Sequence, residues 1–355
     1  MRGLLDLGML DRAVAGFDTY VGSSAGSINS TVLAAHADEP AVGVAALEGI
    51  WGNLQANQVF RTDVRSLSGI GVKWAWDLTF GGAIGGVTPK SLLDTTPLRE
   101  LLEERVPWDR LDAQVESGAV HALAIAATDL YTADGTTFLH GSAATKLWHR
   151  RRWRIEPTHI RAPHVLASSA IPIFFPSVEI AGRHYGDGSV RNTAPLSPAI
   201  NLGAERIVAV SVREPGRTGA VALPTEAPTI AQIAGVLLDA VMLDAIEVDV
   251  EHSARVNSSV VACQTGDPSN PFRRVDVLWL RPSTNLTAIA ADLAHRIPAV
   301  VRYMMRGLGS AESITELSSY LLFDAAFCQR LIDLGRADVE ASRVEIESFF
   351  APNNP

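Results

Sequence analysis

The feature that most restricts the fold lies between residues 17 and 37, where an extended run, Phe17 to Ser23, meets a helix-favouring stretch, Ala25 to Ala37. The two join through Gly22-Ser23-Ser24-Ala25-Gly26, which fits the pattern G-x-S-x-G. A strand that bends at once into a helix projects the central hydroxyl into open space, and residues without Cβ let the strand and helix approach. The bend also puts Ser24 at a helix N-terminus, where the backbone dipole favours developing negative charge. Gly22, Ala25 and Gly26 are the expected supports of this turn.

The remaining chain alternates the same two kinds of element. Strands are expected at Val120 to Thr128, Thr136 to His140, His184 to Tyr185, Arg206 to Val212 and Val275 to Leu280. Helices are expected over Arg2 to Phe17, residues 40–56, Thr96 to about Glu104, Pro163 to Ala170 and Thr229 to about Asn257, with a mostly helical end from Leu286 to Phe350. The second strand would follow the first through Ala133-Asp134-Gly135. Such alternation predicts an α/β protein whose mainly parallel central sheet is flanked by helices. No repeat or long linker interrupts it, so residues 1–213 are read as the core and 214–355 as a mostly helical part packed on the same domain. Leu67 to Thr88 is Gly-rich, carries Trp74, Trp76 and Phe80, and shows no period. It reads as an insertion that is either a lid or membrane-facing patch, or a filler of the core.

Composition narrows the partners. With 355 residues, 47% of them hydrophobic, the chain can bury a sizeable core. Its formal charge of -9 argues against nucleic acid, because phosphate neutralisation needs a cationic face. Two cysteines, Cys263 and Cys328, form no CxxC or His/Cys cluster, so no metal site and no cofactor are expected. The basic run His149 to Arg154 is either a solvated face or a contact for anionic headgroups. No apolar stretch of about 18 residues occurs, and the opening residues, with Asp6, Asp11 and Asp18, do not read as a secretory signal, so the expected address is cytoplasmic, with peripheral membrane contact and, for a longer natural N-terminus, secretion left open.

A second turn completes the pattern. Tyr185-Gly186-Asp187-Gly188-Ser189 holds a carboxylate in a Gly-rich bend. Taken with Ser24 in GSSAGS, Ala167-Ser168-Ser169-Ala170-Ile171-Pro172 followed by Phe175-Pro176, and Asn192 and Pro195 beyond the turn, it resembles the patatin-like phospholipase family in order and spacing. Ala126-Ala127-Thr128-Asp129-Leu130 and Leu202-Gly203-Ala204 resemble it too, and Ser319-Tyr320-Leu321-Leu322 with Leu334-Gly335 resembles bacterial members. The likeness covers most of the chain and is strongest from residue 2 to about 213.

The resemblance implies a three-layer patatin-like fold and a serine lipid acyl hydrolase with a Ser-Asp dyad, Ser24 as nucleophile and Asp187 as base. The substrate would be a lipid or another acyl ester, with transient contact at a membrane surface. An ordinary aspartate, with a pKa near 3.9, is a poor base for a hydroxyl, so the site must desolvate Asp187. Gly186, Gly188 and Ser189 stand at the family's DGG-like turn, where a serine replaces the third residue of the motif. A demand for positive φ at position 189 would make that replacement costly. The family's oxyanion loop, G-G-G-x-R-G, is matched only in its last positions, by Met1-Arg2-Gly3, which leads to the expectation of a longer natural N-terminus. The same shortfall keeps an alternative open, a catalytically impaired lipid-binding or regulatory protein on this fold. His252 and His295 would suit the chain order of a Ser-Asp-His triad, but both fall in expected helices, and they and His184 receive no catalytic role.

Overall fold

The computed structural model describes residues 1–11, 16–61, 91–142, 145–213, 230–242, 245–263, 272–299, 301–302 and 320–351. The Trp74/Trp76 insertion falls outside them. In chain order the elements are α1 (Arg2–Asp6), β1 (Thr19–Gly22), α2 (Ala25–Ala35), α3 (Pro40–Trp51), α4 (Ala56–Val59), α5 (Thr96–Arg105), α6 (Trp108–Glu116), β2 (Ala122–Asp129), β3 (Gly135–Gly141) and β4 (Trp153–Pro157). There follow α7 (Ala162–Ser168), β5 (Val178–Ile180), β6 (Arg183–Asp187), a 3₁₀ turn at Gly188–Val190, α8 (Ser197–Asn201) and β7 (Arg206–Val210). The chain continues with α9 (Ile230–Met242), α10 (Ala245–Cys263), β8 (Asp276–Leu280), α11 (Leu286–Leu293), a 3₁₀ turn at Ala294–Arg296, α12 (Ala325–Ala341) and α13 (Arg343–Phe350).

β2 is the axis of the molecule, with every residue buried. Its short side chains alternate between two faces. Leu123, Ile125 and Ala127 join the main core with Ile28 and Val32 of α2, Leu111 and Val115 of α6, and Val165 of α7. Ala122 and Ala124 meet Leu139, Leu202 and Trp148 on the opposite face. Burial on both faces explains why this strand reads as a continuous apolar run.

The sheet is mixed, which corrects the expectation of a mainly parallel one. The order is β4-β3-β2-β6-β5, with β1 also on β2. β1 runs parallel to β2 and β3 parallel to β4, whereas β2–β3, β2–β6 and β5–β6 are antiparallel. Connection length decides this. Residues Leu130 to Asp134 and the pair Ala181-Gly182 are too short for a crossover, so each returns the chain as a hairpin. β7 and β8 form a separate parallel pair, with α9 and α10 between them in the chain.

The long helix expected from Thr229 is met by α9 and α10 on either side of residues 243–244, which lie outside the described residues, and the helix expected over Arg2 to Phe17 is regular only to Asp6 among the described residues. The basic run His149 to Arg154 leads into β4, and its charges are used locally. Arg150 stacks on Trp153, Arg152 pairs with Asp134, and Arg154 with Asp129 and Glu156. Leu4 and Leu10, near the start of the chain, pack with Leu278, Val339, Ile346 and Phe350 from its end.

Candidate active site

The site is assembled on the edge of β2, which two strands share. β1 covers its first half, with Gly22 opposite Ile125, and β6 comes down its second half, with Asp187 opposite Ala127. The C-terminal ends of β1 and β6 therefore point at each other across Ala126. Residues that leave the two strand ends, Ser23 and Ser24 from one and Gly188 and Ser189 from the other, are brought together although they lie far apart in sequence.

Close approach sets the glycines. A Cβ on Gly22 would lie 2.3 Å from Ser30 Oγ and 2.4 Å from the Gly26 carbonyl oxygen, so only glycine lets α2 fold back against β1. A Cβ on Gly188 would lie 2.1 Å from the Ala126 carbonyl oxygen and 2.9 Å from Ser23 Oγ. The expected supports are not all needed in this way. A Cβ on Gly26 would meet open space, and one on Gly186 would meet only the movable end of Leu130.

Ser24 sits at the bend with φ 53° and ψ −131°, left-handed backbone that costs a residue bearing a Cβ about 1–3 kcal/mol. It occupies the N-cap position of α2, yet its hydroxyl makes no capping hydrogen bond. A serine there ordinarily spends its oxygen on the helix; this one does not. Its main chain is held instead. The Ser24 amide donates to Ser168 Oγ at 3.1 Å, and its carbonyl accepts from Ser27 Oγ at 2.6 Å. The half-buried Ser24 is followed by exposed Ala25.

Asp187 is completely buried. Its amide donates to the Ala170 carbonyl at 3.0 Å, and its own carbonyl accepts from Thr128 Oγ1 at 2.8 Å. Oδ1 accepts from the Ser189 amide at 2.9 Å, while Oδ2 is buried without a hydrogen-bond partner. The Ser24 hydroxyl is near enough to favour the charged carboxylate, without the geometry of a formed bond. Burial outweighs it, together with the help from Ser189, and pushes the Asp187 pKa from 3.8 up to about 6. This meets the demand for desolvation that the sequence posed.

Ser189 fits without strain, since it avoids positive φ, and it ties the two turns together through a hydroxyl contact of 3.1 Å with Ser23. Tyr320, from the C-terminal motif, donates to Asp239 of α9 at 2.6 Å; burial above all, then that carboxylate, raises the phenol's pKa, and Asp187 adds a smaller push in the same direction. α9 in turn packs against the 3₁₀ turn that follows Asp187.

Arg2 and Gly3 make contacts with neighbouring helices. Arg2 pairs with Asp6 and with Glu48 of α3, and Gly3 lies so close to Val339 of α12 that a Cβ would fall within 2.7 Å of that side chain. They fasten α1 to two helices. No histidine is among the groups acting on Asp187; His184 bonds Ser177, and His252 lies near Asp249. Two contributors were not singled out from sequence. Ser168 and Ala170 of the Ala167 to Pro172 motif hold Ser24 and Asp187 by one hydrogen bond each, and the repeated Ser-Ser of both motifs was the available signal.

A family model described as patatin-like phospholipase matches residues 1–200, from α1 into α8. The chain belongs to the patatin-like phospholipase family. The match takes in both turns and all strands of the mixed sheet, and membership places the protein among relatives of lipid hydrolases. Comparison of this member of the family with curated proteins gives no match. No helix among its described residues is long and apolar enough to cross a membrane.

Proposed function

We propose that the protein is a serine lipid acyl hydrolase in which Ser24 is the nucleophile and Asp187 the general base. The reading rests on one observation: a serine whose hydroxyl is not spent on its helix acts on a buried carboxylate, one of whose oxygens has no hydrogen-bond partner among the described residues. Ser24 Oγ attacks the ester carbonyl as its proton passes to Asp187 Oδ2, and the proton then leaves with the departing alcohol or lysolipid. Water, deprotonated by the same carboxylate, releases the acyl group from Ser24. The amide of Ala25, at the start of α2, is the donor for the tetrahedral oxyanion.

The test uses a soluble p-nitrophenyl ester. Activity is expected to vanish in Ser24→Ala and in Asp187→Asn, and retention by either variant sinks the dyad. For the unaltered chain, kcat/KM should rise about tenfold per pH unit below 6 and level off above it, because the base works only when ionised and its pKa is about 6. A flat profile between pH 4 and 7 contradicts the assignment.

Lipid as substrate is supported by α9, which presents Ile233, Val236 and Leu237 to solvent at helical spacing beside the site. Val236→Asp with Leu237→Asp is expected to lower turnover of phospholipid vesicles by about tenfold or more, from lost apolar contact, while leaving the soluble ester unaffected. Equal losses on both substrates count against a lipid-facing role. The alternative of a non-catalytic lipid binder has one observation in its favour, the engagement of Arg2 and Gly3 with α3 and α12. It predicts vesicle binding without turnover.

A further inference from the structure

The other end of β2 carries a second cluster of reactive side chains. Asp112 stands on α6, His140 on β3 opposite Leu123, and His159 between β4 and α7. His140 Nε2 and His159 Nδ1 lie 3.5 Å and 3.3 Å from the same oxygen, Asp112 Oδ1, and one donor atom from each residue falls within 4.8 Å of the others. From these positions we propose that Asp112, His140 and His159 form a site for a single Zn²⁺ ion.

The distances favour it. Zinc bonds of about 2.0–2.1 Å in a tetrahedron put neighbouring donors about 3.3–3.4 Å apart, so two edges of the triangle are already in place. The third closes by rotation of His159, which is exposed. His140 is the fixed member, only 4% exposed. Arg161 grips both oxygens of Asp112, at 3.0 Å and 2.6 Å, and fixes the carboxylate plane. Its charge also opposes a cation, which weakens the site. Two imidazoles with one carboxylate suit zinc better than calcium or magnesium, which favour all-oxygen sites.

A surface cavity of about 520 Å³, lined in part by His140, His159 and Glu116, gives an ion access and leaves room for water at a fourth position. Bound zinc links α6, β3 and the segment before α7. The site is separate from Ser24 and Asp187, which lie toward the opposite end of β2, and it stands whether or not the chain hydrolyses esters.

The experiment is calorimetric titration of Zn²⁺ into the chelator-treated full chain, with its melting temperature followed in parallel. One zinc per chain and a rise in melting temperature are expected. His159→Ala, at an exposed position that does not endanger folding, should weaken binding at least tenfold, and His159→Cys, which supplies another zinc ligand, should restore it. Co²⁺ in place of zinc should give tetrahedral absorption bands that His159→Ala abolishes. Absence of binding overturns the proposal, as does binding that His159→Ala leaves unchanged, since the ion would then sit on other histidines.

Discussion

Asp187→Asn is expected to make the protein inactive and more stable together. The folded carboxyl titrates at about 6 and the unfolded one at 3.8, so stability is greatest below the lower value and falls as pH rises through the higher. Above that window the native state must hold a buried charge, and the gap corresponds to about 3 kcal/mol. Asparagine removes the charge, keeps an oxygen for the Ser189 amide, and puts an NH₂ where Oδ2 lacks a partner. Denaturant unfolding should show the variant close to the parent near pH 4 and more stable by about 3 kcal/mol at pH 8. A difference independent of pH means that the carboxylate does not carry the strain assigned to it.

Ser24→Gly and Ser24→Ala should be equally dead and unequally stable. Both lose the hydroxyl, and loss of a nucleophile costs roughly 10⁴-fold or more in turnover. Alanine keeps the Cβ that the left-handed backbone at φ 53° resists, whereas glycine relieves it. After glycine's greater freedom in the unfolded chain is set against this relief, Ser24→Gly should exceed Ser24→Ala by about 1 kcal/mol in unfolding free energy. Equal stabilities mean that the bend is not strained.

The two turns were legible because their chemistry is local. A strand ending at Gly22, a serine, and a helix from Ala25 follow from residue types alone, as does a carboxylate between Gly186 and Gly188. The reason for Gly188 was not legible, because it is the Ala126 carbonyl on another strand. Gly26 shows the reverse: the pattern asks for it, but the space beside it is open. Strand direction escaped for a related cause. β5, of three residues, is too short to show a period, and β4 was hidden among arginines whose charges are met by neighbouring carboxylates. The Asp112, His140 and His159 cluster has no motif spacing, since an α-helix, a strand and a loop each supply one member.

The meeting of β1 and β6 end to end along β2 makes that strand a ruler. Two residues of β2, from Ile125 to Ala127, measure the interval between the partners of Gly22 and Asp187. Displacing either strand by one residue would lengthen or shorten the interval by about 3.3 Å and turn its side chains to the other face. Tolerance for error in pairing is thus far smaller at this site than in the sheet as a whole. A refolding chain could regain its secondary structure and much of its buried core with one strand out of step, and still have no working pair of oxygens.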